Sequence, residues 1–287
     1  MSEDLSSAEG AQDRAPAGIE ISKPSIARVY DYMLGGKDNF ASDRKVAEMA
    51  LQIAPDAPEA ARANREFLRR VVRHLAAEAG IRQFVDIGSG LPTQGNVHEI
   101  AQGVDPRARV VYVDNDPIVL VHGRALLAKN DTTTVIQADI RQADDILSHP
   151  ELRRLVDFSQ PVALLLFSIL HHLNDAEDPE GIAARLRNAL PPGSYLAISH
   201  FHNPGAARPE IAEQAASAEK LFNENLGTGR WRFHDEILAY FGDFEVLAPG
   251  LVPVAEWRPG PDDRAAQGIT YHTLVGGVAR KPGPEPA

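Results

Sequence analysis

Phe84-Val85-Asp86-Ile87-Gly88-Ser89-Gly90 decides the fold class: an apolar run that reads as a buried strand enters a Gly-x-Gly turn, and a helical pattern follows. Glycines at such a turn let the backbone reverse tightly and leave room where a Cβ would meet a ligand, and in open α/β sheets ligands bind beyond the carboxyl ends of the strands. The next apolar run ends Val111-Tyr112-Val113-Asp114, placing a carboxylate at a strand terminus 26 residues after Gly88. That spacing is close to the one at which an acid holds a ribose diol through two hydroxyl hydrogen bonds. Asp116 precedes Pro117 and reads as an N-cap with Pro at the first helical position.

Further strands are predicted at 133–137, 162–169 and 195–199, with helices over 93–102, 117–129 and 180–190 and a further piece near 143–156. Short continuous apolar strands between helices imply a parallel sheet covered on both faces. After His200 two more helices, at 208–224 and 234–241, precede strands near 244–247 and 271–279. The long loop 249–268 leaves these last strands free to pair as a C-terminal antiparallel hairpin, for a mostly parallel seven-stranded sheet.

Upstream of the first strand, two short helical patterns flank Gly35-Gly36-Lys37-Asp38-Asn39-Phe40, with Ser42 or Asp43 as N-cap of the second. A longer helix over 58–79 carries Phe67, Leu68, Val71, Val72 and Leu75 on one stripe, opposite Arg65, Arg69, Arg70 and Arg73, and stops at Gly80. The expected organisation is a disordered tail at 1–22, an N-terminal helical extension or lid at 23–80, a catalytic domain at 81–280 and a second tail at 281–287.

The 287 residues, 44% hydrophobic and 24% charged, suffice for one substantial core. No cysteine is present, which excludes disulfides, thiolate metal sites and thiol nucleophiles. No run is apolar enough to span a bilayer and no export signal opens the chain, so a soluble, cytoplasmic protein is expected. The formal charge of −11 argues against a nucleic-acid substrate, because such binding leans on Lys and Arg neutralising phosphates. No residue spacing supports a metal site, and nothing sets the oligomeric state.

A dehydrogenase would need a third glycine three places on and a helix N-terminus free for pyrophosphate, whereas here the turn continues Leu91-Pro92-Thr93-Gln94-Gly95. With the preceding Asp86, the turn instead resembles the first motif of class I, Rossmann-like S-adenosylmethionine-dependent methyltransferases, Asp/Glu-x-Gly-x-Gly. Gln137-Ala138-Asp139-Ile140, Val162 to Leu173 and Leu190-Pro191-Pro192-Gly193-Ser194 resemble later segments of that fold in the expected order. More closely, Arg28 to Phe40, Asp86 to Pro92 and Val254 to Pro259 look like a largely actinobacterial S-adenosyl methyltransferase family of undefined substrate.

The resemblance implies S-adenosyl-L-methionine as cofactor. It places Asp86, Gly88, Gly90, Asp114 with its neighbour Asn115, Asp139, Ile140 and Ser168 at the cofactor, Asp139 at the adenine amino group and Ile140 against the ring. In this fold leading helices often close over the pocket, so Tyr32, Gly35, Gly36, Asn39 and Phe40 are lid candidates. Each has a plainer alternative: Asp86 bonded only to amides of the glycine turn, Asp139 as the N-cap of a following turn, Asp114 facing solvent, the lid a surface helical hairpin.

His171 and His200 follow two neighbouring strands at the ligand-binding end, with His172 and His202 beside them. Methyl transfer is an in-line displacement at a sulfonium; a base is needed where an OH or NH must lose its proton, and histidine titrates near neutrality. His171 and His200 are therefore the candidate bases, against the alternative that these are packing histidines. The expected function is methylation of a small molecule at oxygen or nitrogen. The competing readings are a catalytically silent cofactor-binding or regulatory protein of the same fold and an NAD-linked oxidoreductase.

Overall fold

The computed structural model describes residues 20–92, 95–127, 131–260 and 267–283. Five parallel strands form the centre: β1 (Gln83–Ile87), β2 (Arg109–Asp114), β3 (Thr133–Gln137), β4 (Ala163–Phe167) and β5 (Tyr195–Phe201). Three more follow, β6 (Glu245–Val246), β7 (Val252–Pro253) and β8 (Leu274–Arg280). The order is β3-β2-β1-β4-β5-β8-β6, with β7 beside β8, so the chain reverses direction across the sheet between β1 and β4. Ligands of doubly wound sheets bind at such a switch point.

Alternation along the strands sorts the core into two layers. Phe84, Val110, Ala163, Leu165 and Ala197 face α3 (Ala57–Ala77), α4 (Val97–Val104) and Trp257. Val85, Val111, Leu164, Leu166, Leu196 and Ile198 face α6 (Ala143–Ser148), α7 (Pro150–Leu155), α8 (Pro179–Asn188) and α10 (His234–Ala239). Both faces are apolar because both are covered, which is why these strands read as continuous hydrophobic runs. α5 (Pro117–Leu127) packs against β3, and the N–H of Ile118 is capped by Asp116 as expected.

Several details depart from the expectations. The piece near 143–156 is two helices, because Pro150 cannot continue the first and starts the second. β4 stops at Phe167: Ser168 takes φ 52 and residues Leu170–His172 form a 3₁₀ turn. The expected C-terminal hairpin is more elaborate, since β8 lies antiparallel between β5 and both β6 and β7, and Pro249-Gly250 lies between the two short partners. Parts of the predicted helices 93–102 and 117–129 and of loop 249–268 lie outside the described residues, as do both outermost tails.

The helical extension consists of α1 (Ile26–Met33), α2 (Ala41–Ile53) and α3, joined by α9 (Pro209–Leu226) from the other end of the chain. Val29, Met33, Val46, Ala47, Ala50, Ala61 and Leu221 make its core. Neither Ser42 nor Asp43 is the N-cap of α2; Phe40 is, and Asp43 sits one turn in, fully buried. Its carboxylate accepts from Phe40 N–H (2.8 Å), Ser25 N–H (2.8 Å) and Arg28 Nε (2.9 Å), tying the start of α1 to the start of α2. Residues 20–22, expected in the tail, instead lie against the body: Ile21 packs on the Phe40 and Leu91 cluster and its carbonyl accepts from Ser42 Oγ at 2.7 Å.

Candidate active site

A cavity of about 620 Å³ opens at the carboxyl ends of β1, β2, β4 and β5 and is roofed by α1, α3 and α9. Two turns build its floor. Gly88 (φ 75) has its α-carbon against Ile169, where a Cβ would come within 2.7 Å, whereas Gly90 (φ 66) has nothing within 4 Å of that position. Gly88 is thus required by protein packing, and the open approach expected of the turn belongs to Gly90. Gly90 N–H donates to Asp114 Oδ2 (2.8 Å) and Asp116 N–H to Asp114 Oδ1 (3.0 Å), so the strand-end acid holds the turn while lining the cavity. Burial pushes its carboxyl up to about 6 against these backbone bonds.

Asp86 also lines the cavity, and its carboxylate has no hydrogen-bond partner among the described residues, so its plainer alternative, bonding to the turn's amides, is not what the structure shows. Burial drives its pKa up to about 7, with the Arg65 guanidinium opposing and Asp114 reinforcing the shift. Asn115 and Ile140 line the wall beyond Asp114. Asp139 stands just outside it, accepting from Arg141 N–H (2.9 Å) and Asn115 Nδ2 (3.3 Å) as a turn cap. Burial opposes ionisation of Asp139, yet the Arg141 and Asn115 bonds hold its carboxyl below the usual value.

Ser168 lines the floor at its strained backbone, with Asn64 Nδ2 donating to its Oγ at 2.9 Å. The same Asn64 amide group donates to Tyr30 Oη (3.2 Å), which itself donates to Ala61 O. Asn64, Arg65 and Tyr30 are cavity residues that the sequence pattern does not single out. The lid candidates Tyr32, Gly36, Asn39 and Phe40 do not reach the wall. Tyr32 packs in the core of the extension, Phe40 packs on Leu91 and Ile118, and Gly36 closes the loop on Asp31, where a Cβ would meet the carboxylate at 2.0 Å. Ile26, Val29, Tyr30 and Met33 of α1 face the cavity instead.

The histidines divide. His171 is on the wall, fully buried and stacked on Phe201 (3.6 Å between centroids). Its Nδ1 accepts from Phe201 N–H at 3.0 Å, so the ring proton is on Nε2, which has no partner. Burial, with His172, His200 and Arg232 nearby, holds it well below the usual histidine value. A neutral imidazole whose lone pair is already engaged is a donor, so the geometry opposes the expected role of base. His200 is off the wall altogether: it is fully buried, its Nδ1 donates to Phe201 O (2.6 Å), its Nε2 faces Arg232 Nη1 (3.4 Å), and burial pushes it down to about 3. Its role as base is therefore replaced by a packing role.

Seven buried side-chain polar atoms lack partners among the described residues, and four of them belong to cavity residues: Asn64 Oδ1, Arg65 Nε, His171 Nε2 and His172 Nδ1. Leaving such atoms unpaired costs roughly 1–3 kcal/mol each, so their concentration here points to a polar ligand. Among the described residues no group of side chains could hold a metal ion, and no helix is long and apolar enough to cross a membrane.

A family model described as S-adenosyl methyltransferase matches residues 12–282. Among solved structures, a provisionally named methyltransferase from Thermobifida fusca is 47% identical over 93% of this chain and 98% of its own, with a TM-score of 0.87. A duf574 family protein from Streptomyces avermitilis is 41% identical over 91% of this chain and 99% of its own, with a TM-score of 0.85. An O-methyltransferase family protein from Burkholderia thailandensis, 16% identical with a TM-score of 0.52 over 81% of this chain and 60% of its own, shares the fold. No curated protein matches the chain.

Proposed function

Because the chain belongs to the S-adenosyl methyltransferase family, and is thus an S-adenosylmethionine-dependent methyltransferase, we propose that it methylates a small molecule, at oxygen or nitrogen, inside the roofed cavity. The roof carries this reading. α1, α3 and α9 close over the strand ends, and a volume of about 620 Å³ lies within the range of roughly 300–1,000 Å³ that encloses small ligands.

The residues present fit the cofactor. Its ammonium suits the unpartnered Asp86 carboxylate, and its carboxylate suits Arg65, whose Nε is buried without a partner. Gly90 leaves the backbone open, Asp114 and Asn115 suit the ribose, and Ile140 suits the adenine face. Asn64, on the roofing helix α3, bonds to Ser168 on the floor. The cofactor supplies a methyl group on a sulfonium, and what the chain contributes is proximity, orientation and exclusion of water.

The test is transfer of isotopically labelled methyl from S-adenosylmethionine in an extract separated into small molecules, protein and nucleic acid. Label in the small-molecule fraction is expected; label confined to macromolecules overturns the reading. Asp114→Ala should weaken binding of S-adenosylhomocysteine by roughly 1.5–3 kcal/mol, the worth of hydrogen bonds to a charged acceptor.

A further inference from the structure

The wall of the cavity away from Asp86 and Asp114 has its own character. Phe201, Phe222 and Trp231 line it and none is fully buried. Phe201 stacks on Trp231 (4.1 Å), with Phe222 edge-on to both (5.9 and 5.4 Å). Phe201 is sandwiched between Trp231 and His171, which stacks on it at 3.6 Å, so the wall offers its edge together with the half-buried Phe222 and Trp231 rings, contacts that favour a planar aromatic guest.

The polar complement of this wall is a donor without a base. Phe201 N–H occupies Nδ1 of His171 and so forces the proton onto its orphaned Nε2. The carboxylates lining the cavity are Asp86, Asp114 and Asp116 at the cofactor end and Glu20 in the strap before α1; none is on the aromatic wall. His172, buried beside Arg141, is pushed down to about 3 and takes no proton near neutrality. The hydroxyls of Thr270 and Thr273 are committed to Asp56 and Thr270 O. The groups facing His171 are His172, His200 and Arg232, of which the guanidinium alone is charged near neutrality, and its sign is positive.

Resting on the proposed function, we infer that the methyl acceptor is a planar aromatic molecule carrying an ionised hydroxyl, a phenolate-type oxygen received by His171 Nε2–H beside Phe201, Phe222 and Trp231. A wall that offers a donor but no group basic enough to take a proton near neutrality selects an acceptor that arrives already deprotonated. The oxygen lone pair then forms the O–CH₃ bond as the C–S bond breaks and its electron pair passes to sulfur. No proton moves in that step, so the absence of a base on this wall is consistent with turnover.

The probe is 4-nitrophenol, whose anion absorbs at longer wavelength than the neutral form, titrated into protein saturated with S-adenosylhomocysteine at a pH about one unit below the probe's own pKa. Bound probe should show the anion's band, and neutral 4-nitroanisole should bind roughly ten- to a hundredfold more weakly, the effect of one charge-assisted hydrogen bond. His171→Phe keeps a flat ring on Phe201 and removes the donor, so it should abolish both the band and the preference; His171→Gln, which retains a terminal N–H, should restore part of each. The parent spectrum decides the question even if His171→Phe does not fold. Bound probe with the neutral spectrum, equal binding of 4-nitroanisole, or no probe binding to the loaded protein overturns the inference and leaves the proposed function standing. Failure of S-adenosylhomocysteine itself to bind refutes both.

Discussion

Cofactor binding should release protons, and Asp86 sets how many. In the free protein burial lifts Asp86 to about 7 and Asp114 to about 6. A ligand that brings an ammonium to Asp86 and hydroxyl donors to Asp114 favours both charged forms, drawing each pKa back toward about 3.9. At pH 6 the free protein then holds roughly 0.9 proton on Asp86 and 0.5 on Asp114, so binding S-adenosylhomocysteine should expel ~1.4 protons. From Asp86 alone, affinity should fall roughly fiftyfold, ~2.3 kcal/mol, as pH drops from 7 to 5. Asp86→Asn removes that slope and lowers the release at pH 6 to ~0.5. Calorimetry in buffers of different ionisation enthalpy reads the number directly. Proton uptake, or a release unchanged in Asp86→Asn, would refute the assignment of this carboxylate to the cofactor. Stability of the free protein carries the matching sign. A raised folded pKa means that the native state retains protons the unfolded chain has lost, so these two groups make stability fall as pH rises from about 4 to about 7.

The two glycines of the turn should separate packing from ligand approach. Both substitutions to Ala incur roughly 1–2 kcal/mol for the left-handed backbone, but only Gly88→Ala collides with Ile169, so it should lower the thermal midpoint further, while Gly90→Ala should lose more affinity for S-adenosylhomocysteine than stability. Equal effects on both properties in both variants would sink the distinction. Asp43→Ala removes the counter-charge of buried Arg28 and leaves its Nε and two backbone N–H groups without an acceptor, which costs about 3–5 kcal/mol; amide exchange should accelerate over residues 20–53 while β1 and β4 stay protected, and a uniform change would show that the extension is not a separate unit. The buried histidines give acid sensitivity, because the unfolded chain protonates near pH 6.5 while native His172 and His200 stay neutral to about 3. Each should contribute ~2 kcal/mol of destabilisation at pH 5 relative to neutral pH, and His200→Phe should flatten that fall without changing affinity for S-adenosylhomocysteine.

Much of the fold is legible in the sequence because the strands are covered on both faces: a short apolar run between helical patterns fits a buried parallel strand and little else. The departures fall where a local rule meets a competing one. Asp43 carries N-cap chemistry, but Arg28 and Ser25, far away along the chain, recruit it from inside the helix, and Phe40 takes the cap position with no side-chain oxygen to announce it. Pro150 is a visible break that divides the 143–156 helix, through its missing N–H and the ring that pushes His149 out of helical backbone. The strap at 20–22 has no periodicity, and its order comes from contacts with α2 and Leu91 that no local signal encodes.

At the site, the strand-end rule brings Asp86, Gly88, Gly90, Asp114 and Ser168 to one cavity, because that rule concerns where strands stop. Side-chain direction is the harder part. Arg65 reads as a solvent-facing member of an arginine stripe, yet its α3 position lies over the switch point and turns it toward Asp86. On β5 the period of two is available: His200 shares parity with Leu196 and Ile198, and Phe201 with Ala197. What the strand alone does not reveal is which face is roofed at its carboxyl end. The extension settles it, since α3 packs on the Ala197 face and carries α1 with it, so Phe201 reaches the cavity while His200 turns toward Tyr240 and Arg232. His171 does reach the wall, but its chemistry is set by a backbone N–H from the neighbouring strand. A histidine's role here follows from the bond its other nitrogen makes, which spacing along a chain does not record.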